Sequence, residues 1–273
     1  MNKATLQKMA NEIRKGIVSA VHSAKAGHPG GSLSSADILT YLYFEEMNID
    51  PQNPNKLDRD RFVLSKGHAA PGLYSTLAHR GFFATKDLLT LRHVGSYLQG
   101  HPDMKGTPGV DMSTGSLGQG VSAAVGMAIS AKLSGDDYRV YALVGDGELQ
   151  EGQVWEASML AAHRKLDNLV IIIDNNGLQI DGCIDDVNSP NPIDEKFAAF
   201  GFHVVTVDGH DFDALENAFS RAKSVKGKPT AIVATTTKGK GVSYMENKAS
   251  WHGVAPNDEQ YEVAMADLNK VGE

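Results

Sequence analysis

Arg139-Val-Tyr-Ala-Leu-Val-Gly-Asp-Gly147 and, a helix-length interval later, Asn168-Leu-Val-Ile-Ile-Ile-Asp-Asn-Asn176 are the stretches on which the fold turns. Each contains a short, uninterrupted, β-branched run, the pattern of a strand buried on both faces of a parallel sheet. Gly152 to His163 has the length of a crossover helix between them. Gly145-Asp146-Gly147 and Asn175-Asn176, separated by 27 residues, are therefore expected at the carboxyl ends of neighbouring strands. Open α/β sheets bind their ligands at that edge. Asp146 offers a carboxylate, Asn176 an amide oxygen and the following turn a free carbonyl. Three hard oxygens leave room for phosphate oxygens and water around Mg²⁺ or Ca²⁺.

The rest of the chain extends this pattern. Thr5 to Ala24 carries Leu6, Met9, Ile13, Ile17 and Val21 at helical spacing. Gly27-His-Pro-Gly-Gly-Ser is expected to break that helix, with Ser34 and Ser35 capping the next, through about Met47. A strand over Arg61 to Ser65 and a helix from about Ala69 to His79 follow. Residues 92 to 115 are Gly/Pro-rich and read as a long irregular segment, a length usually reserved for function. Gly118 to Leu133 is helical, with a face of small residues (Gly120, Ala123, Ala124, Gly126, Ala128) suited to close packing. Strand His203 to Val207, helix Phe212 to Lys223, strand Thr230 to Thr236 and a helix from about Asn257 complete the alternation. The reading is an α/β fold, a doubly wound and mostly parallel sheet flanked by helices.

Bulk properties narrow the function. The 273 residues suffice for one large α/β domain, and no repeat or linker marks a boundary. With 26 basic and 33 acidic residues the net charge is −7, against a nucleic-acid footprint. No apolar run is long enough to span a membrane, and no secretory signal pattern opens the chain. A single cysteine, Cys183, precludes an internal disulfide framework and fits a cytoplasmic setting. Hydrolase triads, CxxC pairs and HExxH strings are absent from the sequence.

Four histidines stand beside Gly or Pro in expected loops: His28, His68, His101 and His252. Such a set can donate to phosphate or sugar hydroxyls and move protons near neutrality. His22, His79 and His163 fall within helices and read as structural or surface groups; His93 and His210 read the same way. Gly115-Ser-Leu-Gly-Gln-Gly120 opens a helix in the manner of a phosphate cradle but lacks the Lys-Ser/Thr of a P-loop. Lys238-Gly-Lys-Gly241 reads as a solvated charge cluster in preference to an anion loop. Glu151 begins a helix, where an acid complements the dipole.

Taken together, Gly27-His-Pro-Gly, Asp58-Arg-Asp-Arg-Phe-Val-Leu-Ser-Lys-Gly-His, Gly100-His-Pro, Thr114-Gly-Ser-Leu-Gly-Gln-Gly, Gly145-Asp-Gly-Glu-Leu-Gln-Glu-Gly, Asp174-Asn-Asn-Gly-Leu-Gln-Ile-Asp-Gly, Val207-Asp-Gly-His-Asp and Trp251-His-Gly occur in the order found in transketolases. The chain thus resembles that thiamine diphosphate family over nearly its whole length. The resemblance implies that Asp146, Asn176 and the carbonyl of Leu178 hold the metal. It implies that His68 and the Gly147 backbone hold the diphosphate, and that Gly115, Ser116 and Leu117 face the aminopyrimidine. It places His28, His101 and His252 along the substrate channel, His252 also beside the cofactor, and Glu151 at a contact between subunits near the cofactor-activating acid. Ser116 replaces the proline, and Lys66 the asparagine, common in full-length members.

Those members continue into a pyrimidine-binding domain and a C-terminal domain, and the first of these supplies the activating glutamate. Here residues 1–273 read as one diphosphate-binding domain with an N-terminal helical arm. The expectation is therefore the N-terminal subunit of a split transketolase, acting on sugar phosphates with a separate C-terminal subunit in an α₂β₂ assembly. Half-subunits of other thiamine diphosphate enzymes share the metal motif but not this histidine set. Among these are the α chain of a 2-oxoacid dehydrogenase and a deoxyxylulose phosphate synthase-like chain. A non-catalytic thiamine diphosphate-binding module is the remaining alternative.

Overall fold

The two motif runs do become adjacent parallel strands. In the computed structural model, which describes residues 1–270, β2 (Val140–Gly145) pairs with β3 (Leu169–Asn175) in register, Gly145 opposite Asp174. β1 (Arg61–Leu64) flanks β2, while β7 (Thr230–Thr235) flanks β3 and is followed by β6 (His203–Asp208). All four pairings in this five-stranded sheet, ordered β1-β2-β3-β7-β6, are parallel.

Alternation along the strands divides the core. Phe62, Leu64, Tyr141, Leu143, Val170, Ile172 and Ile232 face one side. There they meet α1 (Lys3–Ala24), α3 (Ala36–Tyr41), α4 (Ala70–Arg80) and α9 (Phe212–Ser224). Val63, Val140, Ala142, Val144, Ile171, Ile173 and Val233 face the other, against α5 (Gln119–Ser134), α6 (Gly152–His163) and α8 (Ile193–Ala199). Leu143, Ile171, Ile172 and Ile173 are wholly buried. Each such side chain contributes roughly 1.5–3 kcal/mol of transfer free energy. A further cluster seats α1 on α10 (Asp258–Lys270) through Ile13, Ile17, Ala264 and Leu268.

Local chemistry sets the boundaries. Asn2 caps α1 by accepting from the Thr5 amide at 2.9 Å, and Lys25 in the left-handed region ends it. The break that follows is shorter than the sequence suggests. Pro29 takes the first-turn position of a helix, α2 (Pro29–Ser34), because its missing N–H is an orphan there anyway. Ser35 takes the N-cap position of α3, its carbonyl accepting the Leu39 amide at 2.9 Å, but neither serine side chain makes a capping bond. Ser34 donates its hydroxyl to Asp174 at 2.6 Å and Ser35 to the Gly31 carbonyl at 2.8 Å. The following helix loosens into a π-helical turn over Leu42–Glu46 before reaching Met47. Residues 92–115 are irregular, as expected. Between β3 and β6 the chain adds elements without a strong periodic signature. These are a two-stranded hairpin, β4 (Leu178–Gln179) with β5 (Gly182–Cys183), then α7 (Ile184–Asn188) and α8. No helix among the described residues is long and apolar enough to cross a membrane.

Candidate cofactor site

The carboxyl edge of β1, β2 and β3 opens into a crevice of about 250 Å³. Its floor begins with Asp146, 3 % exposed, whose two carboxylate oxygens accept from the Gly147 amide at 2.8 Å and the Gly177 amide at 2.6 Å. Burial, reinforced by the nearby Asp174 charge, pushes its carboxyl up to about 6. The Asn176 side chain is oriented at both ends. Its Nδ2 donates towards Asp174 at 3.4 Å, and its Oδ1 accepts the Leu178 amide at 3.1 Å. The Leu178 carbonyl, on the hairpin, accepts from Lys238 Nζ at 3.0 Å.

These groups suit a divalent ion. A buried carboxylate pushed towards protonation by desolvation and a second carboxylate is relieved by a cation, and Asn176 Oδ1 and the Leu178 carbonyl are neutral hard donors. Among the described residues no three His, Cys, Asp or Glu side chains converge as an all-protein cage. One carboxylate with neutral oxygens matches an ion that shares its coordination with phosphate. Lys238 donates to one lone pair of the Leu178 carbonyl, and an ion on the other would be disfavoured by the adjacent ammonium charge.

The opposite charge is supplied by two lysines, 1 % and 2 % exposed. Lys66 forms a buried ion pair with Asp174 and donates to the Gly31 carbonyl at 2.8 Å; Asp174 also accepts from Ser34 and Thr236. Lys238 has no carboxylate partner among the described residues. It reaches the Leu178 carbonyl and His252 Nδ1 (3.0 Å), and burial together with Lys66 brings it down to about 8. A buried ammonium on the crevice wall that forms no direct ion pair among the described residues, with the Asp146 and Asp174 charges acting on it only from a distance, favours an anionic ligand. Lys238 is thus part of the site, not the solvated charge that its sequence setting suggests. Replacing Lys66 by methionine should strand the Asp174 carboxylate and cost about 3–5 kcal/mol, read from urea unfolding of the full chain. Wild-type stability in that variant would deny the pair a structural role.

Three of the four histidines form a triangle, and the fourth extends it. His68 and His252 line the crevice with ring centroids 5.0 Å apart; His28 lies 5.4 Å from His68 and 5.5 Å from His252, and His101 lies 6.4 Å beyond His28. Burial is the largest cause of depression in all four. It holds His68 well below its usual value, lowers His101, and brings His28 to about 4 and His252 to about 3. Each ring is neutral at pH 7 and offers one N–H and one lone pair. With Lys238 donating to Nδ1, His252 carries its proton on Nε2. His28 Nδ1 is buried without a partner.

Eight of the expected site residues line the crevice: His68, Leu117, Asp146, Gly147, Glu151, Asn176, Leu178 and His252. His28 and His101 lie outside that lining. Gly115 packs on His101, the position of a Cβ there lying 3.2 Å from His101 Cδ2. Ser116 is exposed and outside the lining. Glu151 is exposed at the N-terminus of α6, its side chain making no capping bond. Sequence reasoning missed Lys66, Asp174, Lys238 and Glu148. Glu148, 2 % exposed, accepts from Ser65 Oγ at 2.5 Å, the Gly118 amide at 2.9 Å and the Gly145 amide at 3.1 Å. A charged residue directly after a buried strand, as Lys66 follows Phe62-Val-Leu-Ser, was the available signal.

Fold and crevice together define a class: an open α/β domain that holds a charged ligand at the carboxyl edge of a parallel sheet. Residues 5–269 match the family described as transketolase, thiamine diphosphate binding domain, and the chain belongs to that family. It is 46% identical over 267 residues to a 6-deoxy-6-sulfo-D-fructose transketolase subunit of a Clostridium species, covering 98% of this chain and 97% of that one. Identity to an apulose-4-phosphate transketolase subunit of Phocaeicola vulgatus is 44% over 270 residues, covering 99% and 96%. The Homo sapiens transketolase is 46% identical over 252 residues, which are 91% of this chain but 39% of that protein. The crystal structure of Campylobacter jejuni transketolase superposes with a TM-score of 0.92 at 38% identity, over 98% of this chain and 43% of that one.

Proposed function

We propose that this chain is the diphosphate-binding half of a two-chain transketolase. With a separate C-terminal chain it transfers a two-carbon ketol unit from a ketose phosphate to an aldose phosphate. The observation that carries the reading is the continuity of the charged crevice with the cluster of four neutral histidines. In this reading Asp146, Asn176 Oδ1 and the Leu178 carbonyl hold Mg²⁺ or Ca²⁺, while His68, Lys238 and the Gly147 backbone hold the diphosphate. Gly115, Ser116 and Leu117 border the ring end. Bound thiamine diphosphate supplies the electron sink that C–C cleavage beside a carbonyl requires. The chain's own groups bind, orient and move protons. His28 and His101 hydrogen-bond the sugar's carbonyl and hydroxyl oxygens and pass the hydroxyl proton, and His252 Nε2–H adds a donor at the junction with the cofactor pocket.

Two relatives matched over almost their full lengths are named as subunits, which supports a second chain carrying the pyrimidine-binding region. An α₂β₂ assembly in the cytoplasm is the corresponding expectation, with Glu151 at the contact between chains. The test is reconstitution. Ketol transfer should require both chains, thiamine diphosphate and a divalent ion. A pull-down recovering no second chain, joined to full activity of this polypeptide alone, would refute the subunit reading.

A further inference from the structure

The Lys238 ammonium is held by a chain of contacts that starts outside the crevice. His210, on the turn after β6, is not part of the crevice lining. Its Nδ1 donates to Asp37 Oδ2 at 2.7 Å, and its Nε2 accepts the Thr237 amide at 2.9 Å. An amide only donates, so Nε2 presents its lone pair and the ring proton sits on Nδ1. Asp37, 5 % exposed on α3, is itself fixed by both terminal nitrogens of Arg14, a buried residue of α1. The Thr237 amide has no other acceptor among the described residues. The bonds on either side of it are main-chain ones, from the Thr236 amide to the Asn175 carbonyl at 3.1 Å and from the Gly239 amide to the Gly30 carbonyl at 3.0 Å. Between them Lys238 turns inward. Its stem passes over Gly30, where a Cβ would lie 3.2 Å from Lys238 Cε, and its ammonium reaches the Leu178 carbonyl and His252. The turn that carries His210 is pressed onto the same segment, since a Cβ on Gly209 would lie 2.6 Å from Thr236 Cγ2.

We propose that His210, its ring fixed by Asp37, is a positioning residue: it holds the Thr237 amide and so aims the Lys238 ammonium at the diphosphate. A lysine is a point charge on a flexible four-carbon stem, so its worth to an anion depends on where its backbone is pinned. Without the lone pair at Nε2 the Thr237 N–H is left unpaired, and the segment after β7 shifts to satisfy it elsewhere. The ammonium shifts with it, away from the crevice wall. The Asp37 bond sets the tautomer of the ring; the Thr237 bond does the aiming.

This role rests on the contact between Lys238 and diphosphate read above, and the experiment separates the two. Thiamine diphosphate is titrated calorimetrically, with Mg²⁺ present, into the chain paired with its C-terminal partner. His210→Asn keeps an N–H for Asp37 but falls short of Thr237, and should weaken binding by on the order of tenfold. His210→Gln places an amide oxygen near Thr237 and should stay within about threefold of wild type. In a Lys238→Met background the loss from His210→Asn should vanish, because both residues act through one ammonium. Wild-type affinity in His210→Asn, or a loss that persists without Lys238, overturns the positioning role. Equal losses for asparagine and glutamine overturn it as well. Where the Thr237 amide resonance shows that glutamine does not make the bond, the Lys238→Met cycle decides alone. Should His210→Asn not fold, His210→Ala carries the same cycle. Unchanged affinity in Lys238→Met itself overturns the diphosphate contact, and this role with it. A pair without ketol transfer that keeps the coupling between His210 and Lys238 overturns the transferase reading and supports the positioning role.

Discussion

Replacing Asp146 by asparagine is expected to abolish metal-dependent uptake of thiamine diphosphate, a loss of about 100-fold or more in affinity, while making the metal-free chain more stable at pH 8. The sign of the second effect follows from the raised carboxyl. A carboxyl whose proton is held more tightly in the folded state contributes stability below its unfolded value of 3.8, and that stability is lost as pH rises through about 6. The difference corresponds to about 3 kcal/mol once Asp146 is ionised. Wild type and Asp146→Asn should therefore melt together near pH 3.5, diverge between pH 4 and 6, and stay apart above. Added Mg²⁺ and cofactor should raise the wild-type melting temperature and leave the variant where it was. A variant that takes up cofactor with wild-type affinity would eliminate the metal grip; matching pH–stability curves would eliminate the uncompensated charge.

His28→Ala should separate chemistry from binding. His28 touches His68, His101 and His252 by ring contact and carries a buried, unpartnered Nδ1, yet it does not line the crevice. Turnover of the reconstituted pair should fall by about 10²–10⁴, the usual contribution of a positioned proton-transfer group, with cofactor affinity within about threefold of wild type. Calorimetry and steady-state assays on the same preparation check both halves. Undiminished turnover would favour a passive cofactor-binding module over an enzyme subunit.

What could be read in advance follows from how the information is distributed. The parallel sheet was legible because β2 and β3 are buried on both faces and so carry unbroken apolar runs. Asp146 and Asn176 were legible because they stand immediately after those runs, and the histidines because Gly and Pro mark their loops. The rim and the buried electrostatics were not. The hairpin Leu178–Cys183 and the short helices after it are only partly buried and carry no strong period. Lys66 and Asp174 are 108 residues apart and stabilise each other only through tertiary pairing. Lys238 looks solvated in a Lys-Gly-Lys-Gly string, yet β7 delivers it into the interior. Ser35 stands at the N-cap position of α3 as its composition suggested, but once α2 had begun at Pro29 the hydroxyls of Ser34 and Ser35 donated to Asp174 and to the Gly31 carbonyl instead of capping.

Glu148 ties the base of the crevice together. Its single carboxylate gathers the end of β1 through Ser65, the end of β2 through Gly145 and the first turn of α5 through Gly118. Three segments far apart in the chain are tied to one anion beneath the crevice, so its base is preorganised before any guest arrives. Docking then forfeits little main-chain entropy at the base; the ordering cost falls on the hairpin at the rim. Amide exchange at Gly118 and Gly145 should accordingly slow little on loading, while that at Gln179 to Gly182 slows greatly.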